Sequence, residues 1–246
     1  MARANATLQR LYVEADLSGE GVVVLADKQA HYLRNVLRLD VGAEILMFNG
    51  RDGEWQGVLE AVSKKAVTVR LTTQTRVQET AGDIWLLVAP VKKDRLDYLA
   101  QKATEMGAAQ LLPVLTKRTQ GKNGVKPDKL RANVIEAAEQ CNIISVTHVH
   151  DPQKLSDVLA DWPSDRKLIF CDETAPSGTG AAELEALAGQ KLALLIGPEG
   201  GFDAAERAAL LARADTLPLS LGPRILRTDT AVVAALALVQ AKLGDW

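Results

Sequence analysis

Aromatic residues make up only 4% of the 246-residue chain. That is too few for an aromatic cage or a sugar-stacking surface, so the core has to be built from Leu, Val, Ile and Ala. The two cysteines, Cys141 and Cys171, cannot form a disulfide framework, and two alone make no zinc set. The longest apolar run, Ala231–Val239, has nine residues, against the ~20 that a bilayer span needs. The first residues, MARANATLQRLYVEAD, contain no apolar signal core. These absences predict a cytoplasmic protein with no membrane partner. An excess of charge is missing as well: 29 basic and 31 acidic side chains leave a net charge of −2, so bulk charge does not ask for nucleic acid. Neither a Gly-Lys-Ser/Thr phosphate loop nor a G-x-G-x-x-G fingerprint occurs, which removes the support for NTP hydrolysis and for NAD binding. Ser220 lies outside any G-x-S-x-G elbow, so acyl transfer is excluded too.

What remains is an ordinary globular composition, 47% hydrophobic and 24% charged, and a length that suits two domains at about 100–200 residues each. Short strand-like runs fill the first part: Arg10–Ala15, Gly21–Ala26, Ala43–Asn49, Glu54–Ser63 and Ala66–Leu71. One helix interrupts them, Asp27–Leu39, with Asp27 available to cap it. This pattern predicts a small β-barrel over residues 1–74. The pattern changes from residue 75 to 246. Continuous apolar strands at Ile84–Ala89, Gln110–Leu115, Val146–Val149, Lys167–Cys171, Leu192–Ile196 and Leu217–Leu221 alternate with helices at Lys93–Met106, Asp128–Cys141, Gln153–Asp161, Ala181–Ala188, Asp203–Ala214 and Thr228–Leu243. Apolar strands alternating with helices predict an α/β domain on a buried parallel sheet.

The near-neutral total is unevenly spread. Residues 81–130 carry 9 basic and 5 acidic groups, and residues 131–246 carry 10 and 16. The basic excess gathers in TKRTQGKNGVKPDK, around Lys117, Arg118 and Lys122. A solvated loop accounts for it as simply as a polyanion site does. The strongest local signal is LALLIGPEGGFDAAERAAL, an apolar strand running through Gly197-Pro198-Glu199-Gly200-Gly201 into a helix. Asp203 and Glu206 have the spacing of a capping box, and loops at the carboxyl ends of parallel strands are where such sheets bind ligands. A second is LGPRILRTDTAVVAALALVQ. Here Arg224, Arg227 and Asp229 precede a helix that is apolar almost all round, either as an active-site group or as a mutual ion pair. Lys92 and Lys93 stand at a helix start, where cations oppose the macrodipole. His148 and His150, at i and i+2, have no evident third ligand, so no metal is expected. His31 reads as a partly buried structural residue.

Together HYLRNVLRL (31–39), KKDRLDYLAQKATEMG (92–107), PVLTKRTQ (113–120), EAAEQC (136–141), IGPEGGF (196–202) and LGPRILRTDTA (221–231) resemble, in this order, the bacterial RsmE family. These are the 16S ribosomal RNA uridine N3-methyltransferases of the SPOUT class. The resemblance implies a PUA-like β-barrel followed by an α/β domain with a C-terminal trefoil knot. It also implies S-adenosylmethionine (SAM) as cofactor, a homodimer, and a specific uridine of the small ribosomal subunit as target. Carried over by position, the cofactor site comprises Leu195, Gly197, Pro198, Glu199 and Gly200, then Leu219, Ser220, Leu221 and Gly222, with Ile225 and Leu226. Arg224, Arg227 and Asp229 are the expected catalytic residues; Arg10, His31, Arg34, Arg38, Lys92, Lys93, Lys117 and Arg118 are the expected RNA contacts. Two positions depart from the family pattern: Asp229 stands where Glu is usual, and Asn142-Ile143 where Gly-Arg is common. A non-catalytic RNA-binding or assembly protein of the same fold, and a knotted methyltransferase for another RNA position, are the alternatives.

Overall fold

The computed structural model describes residues 8–19, 21–79, 82–120 and 124–246. Lys122 and the side chain of Lys93 lie outside the described residues. Two compact units form, Met1–Thr80 with Ala138–Val146, and Ala81–Ala137 with Thr147–Trp246. In the first, β1 (Arg10–Tyr12), β2 (Val22–Ala26), β3 (Glu44–Phe48), β4 (Glu54–Val62) and β5 (Ala66–Arg76) make a curled sheet in the order β1-β3-β4-β5-β2. Only the β1–β3 pair is parallel. Strand period sorts the side chains: Val23 and Leu25 enter the core while Val22 and Val24 face out. Three register shifts between β4 and β5 bend the sheet. Gly57 permits the close packing inside it, because a Cβ there would lie 2.6 Å from Val69 Cγ1.

The expected helix over 27–39 divides. Helix α1 (Asp27–His31) continues as a π-helical turn, Tyr32–Val36, that buries Leu33. Asp27 does not cap it. It is the first helical residue, at φ 46°, and the N-cap position falls to Ala26, whose side chain has no acceptor. The first strand ends at Tyr12 instead of Ala15. Beyond it the chain is held by side chains: Asn49 Nδ2 donates to Ala15 O (3.0 Å), and Asp52 Oδ2 accepts from Leu17 N (3.0 Å).

The second unit is a parallel seven-stranded sheet in the order β12-β10-β11-β6-β7-β8, with β9 also paired to β7. Its strands are β6 (Ile84–Val88), β7 (Ala108–Leu115), β8 (His148–Val149), β9 (Gln153–Lys154), β10 (Arg166–Cys171), β11 (Lys191–Ile196) and β12 (Thr216–Leu219). Its helices are α2 (Lys93–Glu105), α3 (Pro127–Gln140), α4 (Leu155–Ala160), α5 (Ala204–Leu211) and α6 (Thr228–Leu243). The central strands β6 and β11 are buried on both faces, which is why they read as unbroken apolar runs. Two expected helices are corrected. Gln153 and Lys154 pair with Val114 and Leu115 as a strand, leaving a helix of only Leu155–Ala160. The segment expected as helix 181–188 is a 3-10 turn, Glu183–Leu187, too short between Gly180 and Gly189 to do more than bury Leu184 and Leu187. Helix α6, apolar almost all round, packs on α2 and β11. Its buried Gln240 donates to Met106 O at the end of α2 (2.8 Å), directly over Gly107, where a Cβ would lie 2.5 Å from Gln240 Nε2.

The departure at Asn142-Ile143 has a local explanation. Ile143 N donates to Ala138 O (3.1 Å) and Asn142 sits at φ 60°. That is a helix C-cap of the Schellman type, whose left-handed position takes Gly or, next best, Asn. Ile143 then packs on the cluster of Phe48, Ala138 and Ile144, so an apolar contact occupies the place where an arginine is common. Arg76 Nη1 donates to both Asn142 O and Asn142 Oδ1 at 2.9 Å, holding the turn from β5.

Candidate active site

Three neighbouring strands of the parallel sheet, β12, β10 and β11, end at one cavity of about 210 Å³. Its walls are the segments that follow those strands. Cys171 ends β10 and Asp172 and Glu173 follow it; Ile196 ends β11, with Gly197–Glu199, Gly201 and Phe202 after it; Leu219 ends β12, with Ser220–Gly222 and Arg224–Thr228 after it. Thr228, buried at the start of α6, donates from Oγ1 to Gly197 O (3.0 Å) and ties the second and third segments together. Gly197 leaves room for the Phe202 ring, since a Cβ there would lie 2.5 Å from it. The capping box predicted for α5 is present, Asp203 Oδ1 accepting from Ala205 N and Glu206 Oε2 from Asp203 N. It fixes where the glycine loop ends.

Most of the expected cofactor positions line this cavity: Gly197, Pro198, Glu199, Leu219, Ser220, Leu221, Gly222, Ile225 and Leu226. Two do not. Leu195 points the other way, into the core beside Phe170 and Leu168, because alternate strand residues face opposite sides and Ile196 takes the cavity side. Gly200 is exposed, and its carbonyl accepts from Arg118 Nη1 (2.9 Å). Ile225 lines the rim with 88% of its surface exposed. The sequence reading missed Asp172, Glu173, Phe202 and Ala231. The first two could have been found by applying the strand-end rule to Lys167–Cys171 as it was applied to Leu192–Ile196.

Arg224 and Arg227 are exposed at the cavity rim, and Asp229 lies in the first turn of α6, where a carboxylate suits the macrodipole. Arg227 and Asp229 are not paired with each other; Asp229 Oδ2 faces Arg95 Nε (3.9 Å), and Arg95 Nη1 reaches Glu199 Oε1 (3.4 Å). Asp172, nearly fully buried, accepts from Arg207 Nε and Nη2 and from Thr174 N and Oγ1. Burial alone would raise its carboxyl; the bonds from Arg207 and Thr174 outweigh that and hold it below the usual range. A group with a lowered folded pKa contributes stability above its unfolded value and loses it as pH falls through the folded one. Asp172→Asn is therefore expected to flatten the fall in melting temperature below about pH 4, and an unchanged acid limb would refute this role. Burial pushes the neighbouring Cys171 thiol up to about 12, so it is no nucleophile.

The expected RNA contacts fall in three settings. In the first unit His31 and Arg38 are exposed and Arg34 is half-buried, all on α1 and the turns after it. His31 is thus not the partly buried residue expected. Arg10 is 13% exposed and gives Nε to the buried Glu54 (2.8 Å), so its charge is used inside the fold. In the second unit Lys92 is the exposed N-cap of α2. Lys117 Nζ pairs with Asp203 (3.0 Å), the larger part of what lowers that carboxyl, and Lys117 N donates to Glu206. His148 and His150 stack edge to face at 4.5 Å, with His150 bonded to Gln110. Among the described residues no group of three or more His, Cys, Asp or Glu is placed to hold a metal ion, and no helix is long and apolar enough to cross a membrane.

Comparison with known proteins places this architecture. The family described as RNA methyltransferase domain matches residues 78–240, and the RNA methyltransferase PUA domain matches residues 25–72. Ribosomal RNA small subunit methyltransferase E of Rickettsia conorii is 30% identical, covering 94% of each chain. A Legionella pneumophila chain solved with SAM bound superposes with a TM-score of 0.86 at 30% identity, covering 98% of this chain and 100% of that one. Ribosomal RNA small subunit methyltransferase E of Neisseria gonorrhoeae, solved bound to SAM, superposes with a TM-score of 0.84 at 28% identity, covering 97% and 99%. A PUA domain followed by an RNA methyltransferase domain is the shared arrangement, and this chain belongs to the ribosomal RNA small subunit methyltransferase E family.

Proposed function

We propose that the protein transfers the methyl group of SAM to N3 of a specific uridine in 16S rRNA, acting on the small ribosomal subunit. The observation that carries this reading is the strand-end cavity, whose wall joins the glycine loop to two exposed arginines, with Asp229 just beyond the wall and linked to Glu199 of the loop through Arg95. The cavity fits the cofactor's chemistry. Ile196, Leu219, Leu226 and Phe202 offer apolar walls to a nucleoside, and Glu173 and Glu199 offer negative charge to a cationic sulfonium and amine. When bound, SAM supplies an activated methyl for in-line displacement, so the chain's own task is to position the acceptor and manage its proton. Uridine N3 carries an imide proton that leaves as the new bond forms. Arg227 and Arg224 stabilise the charge that develops on the uracil carbonyls, and Asp229 accepts the proton or orients an arginine. The target base has to leave its stack to reach the rim.

In this reading residues 1–74 form the RNA-holding domain, through His31, Arg34 and Arg38, and residues 75–246 the transfer domain, through Lys92, Lys93, Lys117 and Arg118. The glycine loop and the 219–226 segment belong to a trefoil knot around the cofactor. A homodimer covers the half-buried outer residues of α6, Val233, Ala234, Ala237 and Leu238. The deciding experiment is nucleoside mass mapping of small subunits lacking the mark after incubation with protein and SAM. A single N3-methyluridine is expected. Methylation of another base or of a ribose favours the knotted enzyme for a different position. No methylation, with no thermal shift where SAM at 100 times Kd should add about 2.7 kcal/mol, favours the non-catalytic assembly protein.

A further inference from the structure

Arg95 is the third residue of α2, so its charge sits at the positive end of that helix dipole, and Lys92 is the helix N-cap. Nothing about α2 itself rewards a cation there. The compensation comes from two other elements: Glu199 of the glycine loop at 3.4 Å and Asp229 of the first turn of α6 at 3.9 Å. Each pair is partly exposed, Arg95 to 33%, and such pairs contribute little to stability. Their arrangement matters more than their strength. A planar guanidinium can address two carboxylates with separate N–H groups, which an ammonium cannot do in the same geometry.

We propose that Arg95 is a positioning residue of the transfer site: one guanidinium holds Glu199 of the cofactor loop and Asp229 beside the acceptor in register with α2. This inference rests on the methyltransferase reading. Without Arg95, the carboxylates of Glu199 in the cavity wall and Asp229 of α6, both drawn to one guanidinium, are left uncompensated, and Asp229 loses its fixed place relative to the cofactor loop. The aspartate where the family usually has glutamate is part of the same picture. The Asp229 carboxylate is one methylene shorter, and its contact with Arg95 Nε is the longer of the two.

The test measures SAM affinity by calorimetry, together with kcat, KM for the RNA and melting temperature. It compares the wild type with Arg95→Ala, Arg95→Lys, Asp229→Ala, Asp229→Glu and the Arg95→Ala/Asp229→Ala double variant. Arg95→Ala is expected to lower kcat about tenfold to a hundredfold, the scale of a misplaced reacting group, with KM for RNA and melting temperature close to wild type. In the double variant, loss of Arg95 adds less than about twofold to the cost of Asp229→Ala, because coupled residues fail to add. Arg95→Lys recovers part of kcat, and Asp229→Glu retains or raises it. An active wild type with Arg95→Ala at full kcat, or losses that multiply in the double variant, overturns the inference alone. A wild type that neither binds SAM nor methylates RNA overturns the methyltransferase reading and this inference with it.

Discussion

Arg227→Ala is expected to lower kcat for methyl transfer about 10²–10³-fold, the usual cost of deleting one preorganised group aimed at developing negative charge. Stability should hardly notice. Arg227 is exposed, occupies the N-cap of α6, and makes no side-chain cap bond there. A cation at that position opposes the helix dipole, so its removal changes stability by about 0.5 kcal/mol or less and the melting temperature by about 2 °C at most. Arg227 costs its own helix a little and stands in the cavity wall two residues before Asp229, which is the placement expected of a group that serves a bound ligand. Steady-state kinetics with undermethylated small subunits and a melting curve check this together. If kcat stays within threefold of wild type, Arg227 does not stabilise the transition state, and Arg224 must take that role.

Which parts of this site could be read in advance follows from how each is encoded. The glycine loop announces itself because backbone bending needs glycine and a helix start needs a cap, both local demands. Helix α6 has the expected bounds, Thr228–Leu243, since an unbroken apolar run has only one way to be buried. The pairing of Arg95 with Glu199 and Asp229 was invisible. It joins residues more than a hundred positions apart, and nothing in the run KKDRLDYLAQ separates Arg95 from its neighbours. The partner of Asp172 was hidden for the same reason: the Arg207 that neutralises it is 35 residues away, although the position of Asp172 at a strand end was open to the strand-end rule. The short elements failed differently. Gln153 and Lys154 have no strand character of their own and become a strand only because the end of β7 offers an open edge. Arg10 shows how far residue type alone reaches. An arginine on an N-terminal strand resembles an RNA contact, and its pairing with the buried Glu54, reached across β3 from β4, is visible only in the folded sheet.

Gly180→Ala should destabilise the second unit by about 2–5 kcal/mol, combining a left-handed backbone that an L side chain resists with overpacking against fixed atoms. Gly178→Ala serves as its control. Both glycines have positive φ, 89° at Gly178 and 76° at Gly180, so both substitutions carry the backbone strain. Only their surroundings differ. A Cβ on Gly178 meets nothing within 4 Å, whereas one on Gly180 would overlap the carbonyl oxygen of Pro218 and lie 3.2 Å from Leu219 Cα. These are backbone atoms of β12, which cannot swing aside as a side-chain tip can. The strand is held to β10 by its ladder, and Ser220 N is bonded to Thr179 O (3.0 Å). Relief therefore has to come from moving Pro218 and Leu219, and with them Ser220 and Leu221 of the cavity wall. The two variants should separate on both axes. Gly178→Ala costs about 1–2 kcal/mol in denaturant midpoint and leaves SAM affinity alone. Gly180→Ala costs at least about 1 kcal/mol more and weakens SAM binding as well. Equal losses in the two would mean that strain at positive φ is the whole effect. A destabilised Gly180→Ala that still binds SAM at wild-type affinity would mean that the end of β12 does not shape the cofactor wall.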